Sequence, residues 1–150
     1  MIRAYSVADL AVTAAVWYRS GKDEYSYLPD FQALTPGKAK EVFKEMIAGP
    51  CDIWVDEDDG TIRGFLAMKA SYIDRLYVDP AQQRSGVGEG LMAFAKSLQP
   101  DGLELHTHQQ NQRARAFYEK HGFKAIRFGV SAPPESVPDV EYHWRPEKQK

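Results

Sequence analysis

The chain has 150 residues, 43% of them hydrophobic and 27% charged, and a formal net charge of −2. That length is most simply one domain, 1–150, with a core of its own. The near-neutral charge gives no electrostatic reason to expect nucleic acid or an anionic membrane as partner, and no apolar run is long enough to span a bilayer.

Met1 to Tyr5 enters structured-looking sequence without a signal-peptide pattern, so the cytoplasm is the expected compartment. Ile2 to Tyr5 alternates as a short first strand. Ser6 is placed to cap a helix from about Val7 to Arg19, with Leu10, Ala14 and Trp17 at helical spacing and Gly21 as its stop. Lys22 to Thr35 is irregular and aromatic. A second helix is predicted over Pro36 to Ala48, with Pro36 at its first position and Gly49-Pro50 beyond its end. The single cysteine, Cys51, excludes an internal disulfide and reads as a small buried apolar residue.

A hairpin follows, with strands Cys51 to Val55 and Thr61 to Met68 about the turn Asp58-Asp59-Gly60. Ser71 to Val78 is a further strand. Gly88 to Leu98 is a helix whose inner face is expected to hold Leu91, Phe94, Ala95 and Leu98. Leu103 to Thr107 alternates as a strand, Gln112 to His121 is a helix closed by Gly122, and Phe123 to Phe128 and Val140 to Arg145 are the last strands. Tyr142 and Trp144 are expected to pack in the last strand, at a dimer contact if the chain pairs. The prolines of Ser131 to Asp139 make a loop, and 146–150 reads as a frayed tail. Mixed hairpins and helices indicate an α/β class with a mixed sheet covered by helices, in which the strands ending at Val78 and starting at Leu103 are parallel neighbours.

The most specific stretch is Val78-Asp79-Pro80-Ala81-Gln82-Gln83-Arg84-Ser85-Gly86-Val87-Gly88. A strand, a glycine turn and a helix start make an anion cradle, because backbone N–H groups converge there and the helix N-terminus carries partial positive charge. The spacing is neither that of a dinucleotide fold nor that of a P-loop, which argues against ATP or NAD as ligand. A second constellation runs from Asn111 through Phe117-Tyr118 to Gly122-Phe123, an Asn opening a helix with an aromatic-Tyr pair near its end. Read alone, the first motif is an ordinary glycine turn, Asn111 a helix cap and Tyr118 a packed aromatic.

Together, in this order and with a strand between them, the two motifs resemble those of the GNAT family of acyl-CoA N-acyltransferases. The run Ile73-Asp74-Arg75-Leu76-Tyr77-Val78-Asp79-Pro80 also resembles that family. The resemblance implies the GNAT fold, a mixed, mostly antiparallel sheet of about seven strands with a splayed parallel pair and about four helices. It implies acetyl-CoA as co-substrate, with the pantetheine arm along Leu76, Tyr77 and Val78. The pyrophosphate would lie on Gln83, Arg84, Ser85, Gly86, Val87 and Gly88, with Asn111, Phe117 and Tyr118 completing the donor contacts. Tyr118 would act as general acid to the leaving sulfur, since a phenol with a pKa near about 10 can protonate a thiolate. Backbone N–H at the end of the Val78 strand would hold the developing oxyanion.

The general base would be a carboxylate, a His or a water held by either, and the resemblance points to Asp74 first and His106 next; the plainer reading of Asp74 is an exposed carboxylate paired with Arg75 or Arg63. Tyr72 and Asp74 share one strand face, as do Glu104, His106 and His108. Tyr25, Tyr27, Phe31, Tyr72 and Glu104 are the acceptor-pocket candidates implied by the resemblance. His106-x-His108 lacks a third ligand at convincing spacing, so no metal is expected. The activity implied is acetyl transfer to a primary amine of a small molecule, peptide or protein, by direct attack in a ternary complex. The alternative is a CoA-binding regulatory or interaction module without turnover. A homodimer is expected from family analogy alone.

Overall fold

A computed structural model describes residues 1–133 and 136–146. Of the tail expected to fray, 147–150 lies outside the described residues. The chain divides into two compact units, Met1–Phe94 and the segment from Ala95 on.

In the first unit, β1 (Ile2–Ala4), β2 (Asp52–Asp58), β3 (Thr61–Lys69) and β4 (Tyr72–Val78) form successive antiparallel pairs. The β2–β3 turn is Asp59-Gly60, both with positive φ. A 3-10 turn (Val7–Asp9) opens on a capping box between Ser6 and Asp9 and leads into α1 (Leu10–Glu24). Gly21 does not stop α1. It is buried inside the helix, and a methyl group there would run into the Phe31 ring. The aromatic stretch that follows holds a short helix, α2 (Pro29–Gln32), while α3 (Pro36–Phe43) continues as a π-helical turn to Ala48. Thr35 caps α3, accepting from the Lys38 N–H at 3.2 Å, and Pro36 stands just inside its start.

One aromatic chain organises the core of this unit. Trp17 meets Phe43 at 6.2 Å between centroids, Phe43 meets Phe65 at 5.5 Å and Phe65 meets Tyr77 at 5.7 Å. Val16, Ile47 and Val55 fill the space around it. Each such side chain contributes about 1.5–3 kcal/mol of burial. Helix α4 (Val87–Leu98) starts where Gly64 lets it approach β3: a Cβ at that position would meet the Tyr77 carbonyl oxygen at 2.7 Å and Val87 at 3.1 Å. Its inner face is Val87, Leu91, Met92 and Ala95; Leu98, expected inside, is exposed, and Met92, not expected, is fully buried.

The second unit holds β5 (Leu103–His108), α5 (Gln112–Lys120), β6 (Lys124–Val130) and β7 (Pro138–Trp144). Strand β7 is antiparallel to both β5 and β6. Its Tyr142 is fully buried and ties strand to helix. Its hydroxyl donates to Glu119 Oε2 at 2.6 Å and accepts from Arg115 Nε at 3.0 Å. Tyr142 is therefore a core residue and not part of a surface contact. Trp144 lies under the Lys96 ammonium, 4.8 Å from its ring centroid.

Candidate functional site

The cradle is built from the end of β4. The Asp79 N–H reaches the Arg63 carbonyl at 2.8 Å, which carries the β3–β4 ladder one residue past the strand. The Asp79 carboxylate then accepts from the Ala81 N–H at 3.1 Å and caps a 3-10 turn, Pro80–Gln82. Two α1 side chains hold this junction. Ser20 Oγ donates to the Val78 carbonyl at 2.9 Å, and Arg19 is hydrogen-bonded to Asp79. Both Ser20 and Asp79 are buried. The sequence carries a signal for Asp79, an Asx residue before proline, and none for Ser20.

From there the chain turns into α4 through two left-handed residues, Arg84 at φ 67° and Gly86 at φ 85°. Only glycine adopts that conformation without strain, so Gly86 is required where it stands and Arg84 is held there at a cost. Gln83, Arg84, Ser85 and Gly86 are all exposed. The first N–H groups of α4 have no acceptor within the helix, as at any helix start. Gln83–Gly86 thus form an exposed turn that runs into the start of α4 at Val87 and Gly88.

Strand β4 departs from simple alternation. Its register on β3 passes from Met68↔Ile73 to Ala67↔Arg75, so Asp74 is a bulge residue without a partner across the ladder. Period-two reasoning therefore does not carry through Tyr72, which is half-buried, and Asp74. The Asp74 carboxylate stands 3.7 Å from Lys69 Nζ and 3.7 Å from Arg75 Nη1. Of the two pairings weighed from the sequence, Arg75 is the one present; Arg63 is engaged by Asp56 at 2.8 Å. The neighbouring Cys51 thiol is pushed up to about 11, by burial first and by Asp74 second, which makes it a poor nucleophile.

The aromatic candidates come together. Tyr25 meets Phe31 at 5.5 Å and Tyr27 at 6.2 Å, and its hydroxyl lies 2.5 Å from that of Tyr77. Burial holds the Tyr25 phenol well above its ordinary pKa, with Tyr77 adding to the effect. Phe31 also packs edge-on against Trp17 at 5.5 Å, which joins this cluster to the core.

In the second unit, Asn111 is buried and caps α5, its Oδ1 accepting from the Ala114 N–H at 3.1 Å. Tyr118 is half-buried among Phe117 at 5.5 Å, Phe123 at 5.7 Å and Tyr142 at 6.3 Å. On β5, Glu104 stands opposite His143, His106 opposite Glu141 and His108 opposite Asp139. Glu141, which sequence reading missed, is the hub. It binds His143 at 2.6 Å and Arg127 at 2.8 Å and lies 3.7 Å from His106 Nε2. The His143 hydrogen bond above all holds this carboxylate below its ordinary range. Glu104 accepts from Arg145 at 2.8 Å. Among the described residues, no three His, Cys, Asp or Glu side chains are grouped to hold a metal ion, and no helix is long and apolar enough to cross a membrane.

Comparison with known proteins decides the family. The acetyltransferase (GNAT) domain family matches residues 49–125, which include the cradle, Asn111 and Tyr118. The chain belongs to the GNAT acetyltransferase family. This GNAT chain is 30% identical over 111 residues to the peptidyl-lysine N-acetyltransferase YjaB of Escherichia coli, covering 73% of itself and 72% of that protein. It is 35% identical over 74 residues to the peptidyl-lysine N-acetyltransferase YiaC of the same species, covering 49% of itself and 50% of that protein. In fold it resembles the apo-form YjaB of Escherichia coli with a TM-score of 0.80, at 23% identity and 96% of each chain. The PaiA N-acetyltransferase of Thermoplasma acidophilum, solved in complex with coenzyme A, gives 0.70 at 22% identity, over 97% of this chain and 98% of that one. The α/β GNAT fold expected from the two motifs is the fold of this GNAT chain, and acetyl-CoA-dependent N-acetyl transfer is its activity.

Proposed function

We propose that the chain transfers the acetyl group of acetyl-CoA to a primary amine carried by a peptide or protein, with a small-molecule amine as the other acceptor class. The observation that carries this reading is the exposed loop with two left-handed residues that leads into the N-terminus of α4, a place suited to a pyrophosphate. The peptidyl-lysine specificity of YjaB and YiaC favours the peptide acceptor.

In this reading Gln83 to Gly88 hold the pyrophosphate, the backbone of Leu76 to Val78 pairs with the pantetheine amides, and Asn111 and Phe117 flank that arm. The neutral amine attacks the thioester carbon. A C–N bond forms, the carbonyl becomes an oxyanion held by backbone N–H at Val78, and the C–S bond then breaks. The Tyr118 hydroxyl protonates the departing thiolate, and Asp74 or His106 takes the ammonium proton. Asp74 stays ahead because it sits on a strand bulge between two cations that hold it in place. Tyr25, Tyr27, Phe31, Tyr72 and Glu104 make the acceptor's surroundings. A CoA-binding module without turnover is the less favoured reading.

Calorimetry with acetyl-CoA, ATP and NAD is expected to register binding of the first alone, followed by thiol release on lysine peptides. Tyr118→Phe should lower kcat at least ~100-fold with CoA affinity held within about twofold. Unchanged turnover would remove the general-acid role. Asp74→Asn or His106→Gln should abolish the acid limb of the kcat pH profile, and whichever does so is the base.

A further inference from the structure

Arg75 and Tyr77 lie two residues apart on one face of β4, and the Tyr77 hydroxyl is 2.5 Å from that of Tyr25. The Arg75 side chain keeps 39% of its surface open. Its acceptors both come from Asp74 and both meet Nη1: the backbone oxygen at 2.9 Å and the carboxylate at 3.7 Å. The guanidinium is a planar fork of five donors. Its Nε–Nη2 edge, the edge that grips a carboxylate side-on, has no hydrogen-bond partner among the described residues. The Asp74 charge is also shared with Lys69, so two cations meet one carboxylate; Glu24 bears on the Tyr25 phenol.

We infer that Arg75 is a specificity-determining residue whose unpaired edge receives a carboxylate of the acceptor. The preferred amine therefore carries a carboxylate close to it. This rests on the acetyltransferase reading above. The carboxylate is that of a free amino acid or that of an acidic residue next to a peptide lysine, and the two sources are separable.

The test is calorimetry on the protein saturated with CoA, titrated with two matched pairs. One pair is lysine against lysinamide, and the other is acetyl-Glu-Lys-Ala-amide against acetyl-Gln-Lys-Ala-amide. The carboxylate member of one pair should bind at least about tenfold more tightly, the size of a charge-assisted hydrogen bond, and that pair identifies the source. In Arg75→Gln the preference should fall to about twofold or less, with the amide members and acetyl-CoA bound as before. Arg75→Lys, which keeps the charge and loses the fork, should retain part of it. Equal affinities within both wild-type pairs, which require no variant to fold, overturn the inference, as does a preference that persists in Arg75→Gln. Failure of CoA to bind would count against the donor reading instead. The same pairs titrated into the protein alone would then still test the role of Arg75.

Discussion

Gly21 sits in the interior of α1 because the Phe31 ring lies against its backbone. Alanine is ordinarily the better helix former there, by about 1 kcal/mol. Here the added methyl displaces a ring wedged between Trp17 and Tyr25, which costs about 1–3 kcal/mol. Gly21→Ala is therefore expected to destabilise the protein in urea titrations, the reverse of the propensity expectation. Thr13, on the same helix, is fully buried, and its hydroxyl has no hydrogen-bond partner among the described residues. Thr13→Val keeps the shape and removes the stranded oxygen, so a gain of about 1 kcal/mol is expected. Differential scanning calorimetry would register it as a rise of about 2–4 °C in Tm.

Among the elements, α1 and the end of β4 act as one piece. The Ser20 hydroxyl fixes the Val78 carbonyl at 2.9 Å and Arg19 fixes Asp79, so the strand leaves the ladder on a set course into the strained loop. Ser20→Ala should raise the KM for acetyl-CoA about three- to tenfold, with kcat and the acceptor KM little changed, in thiol-release kinetics. A general loss of stability without that split would assign Ser20 a purely structural role. Most elements were legible in the chain, because apolar periodicity and caps are local: Ser6, Pro36 and Asn111 each stand at the helix starts their chemistry implies. The end of α1 was not, since Gly21 follows a packing demand set by Phe31 ten residues away. The bulge at Asp74 was equally hidden, for register is a property of two strands.

At the scale of the molecule, charge pairs join distant parts of the first unit. Arg3 on β1 holds Asp9 through two hydrogen bonds, at 2.8 and 2.9 Å, and Glu57 on β2 at 2.8 Å. The Arg3 hydrogen bonds above all lower the Asp9 carboxyl from 3.8 to about 2. A depressed carboxyl stabilises the fold above its unfolded pKa and ceases to do so as pH falls through its folded one. Thermal midpoints should therefore fall between about pH 4 and pH 2 partly through Asp9. Asp9→Asn should flatten that part of the curve, with wild type and variant converging near the lower limit. Identical slopes in the two proteins would count against the role of this pair.

The chain by itself determined the order of the main elements, the glycine turn that leads into α4 and the candidates Asn111 and Tyr118. Each of these rests on neighbours in sequence, through glycine conformation, capping chemistry and helical spacing. Only the tertiary structure decided how Arg19 and Ser20 brace Val78 and Asp79, that Asp74 is a bulge residue between Lys69 and Arg75, and that Glu141 gathers His106, His143 and Arg127. Those arrangements depend on strand register and on side chains far apart in sequence, and no local pattern encodes which of them will meet.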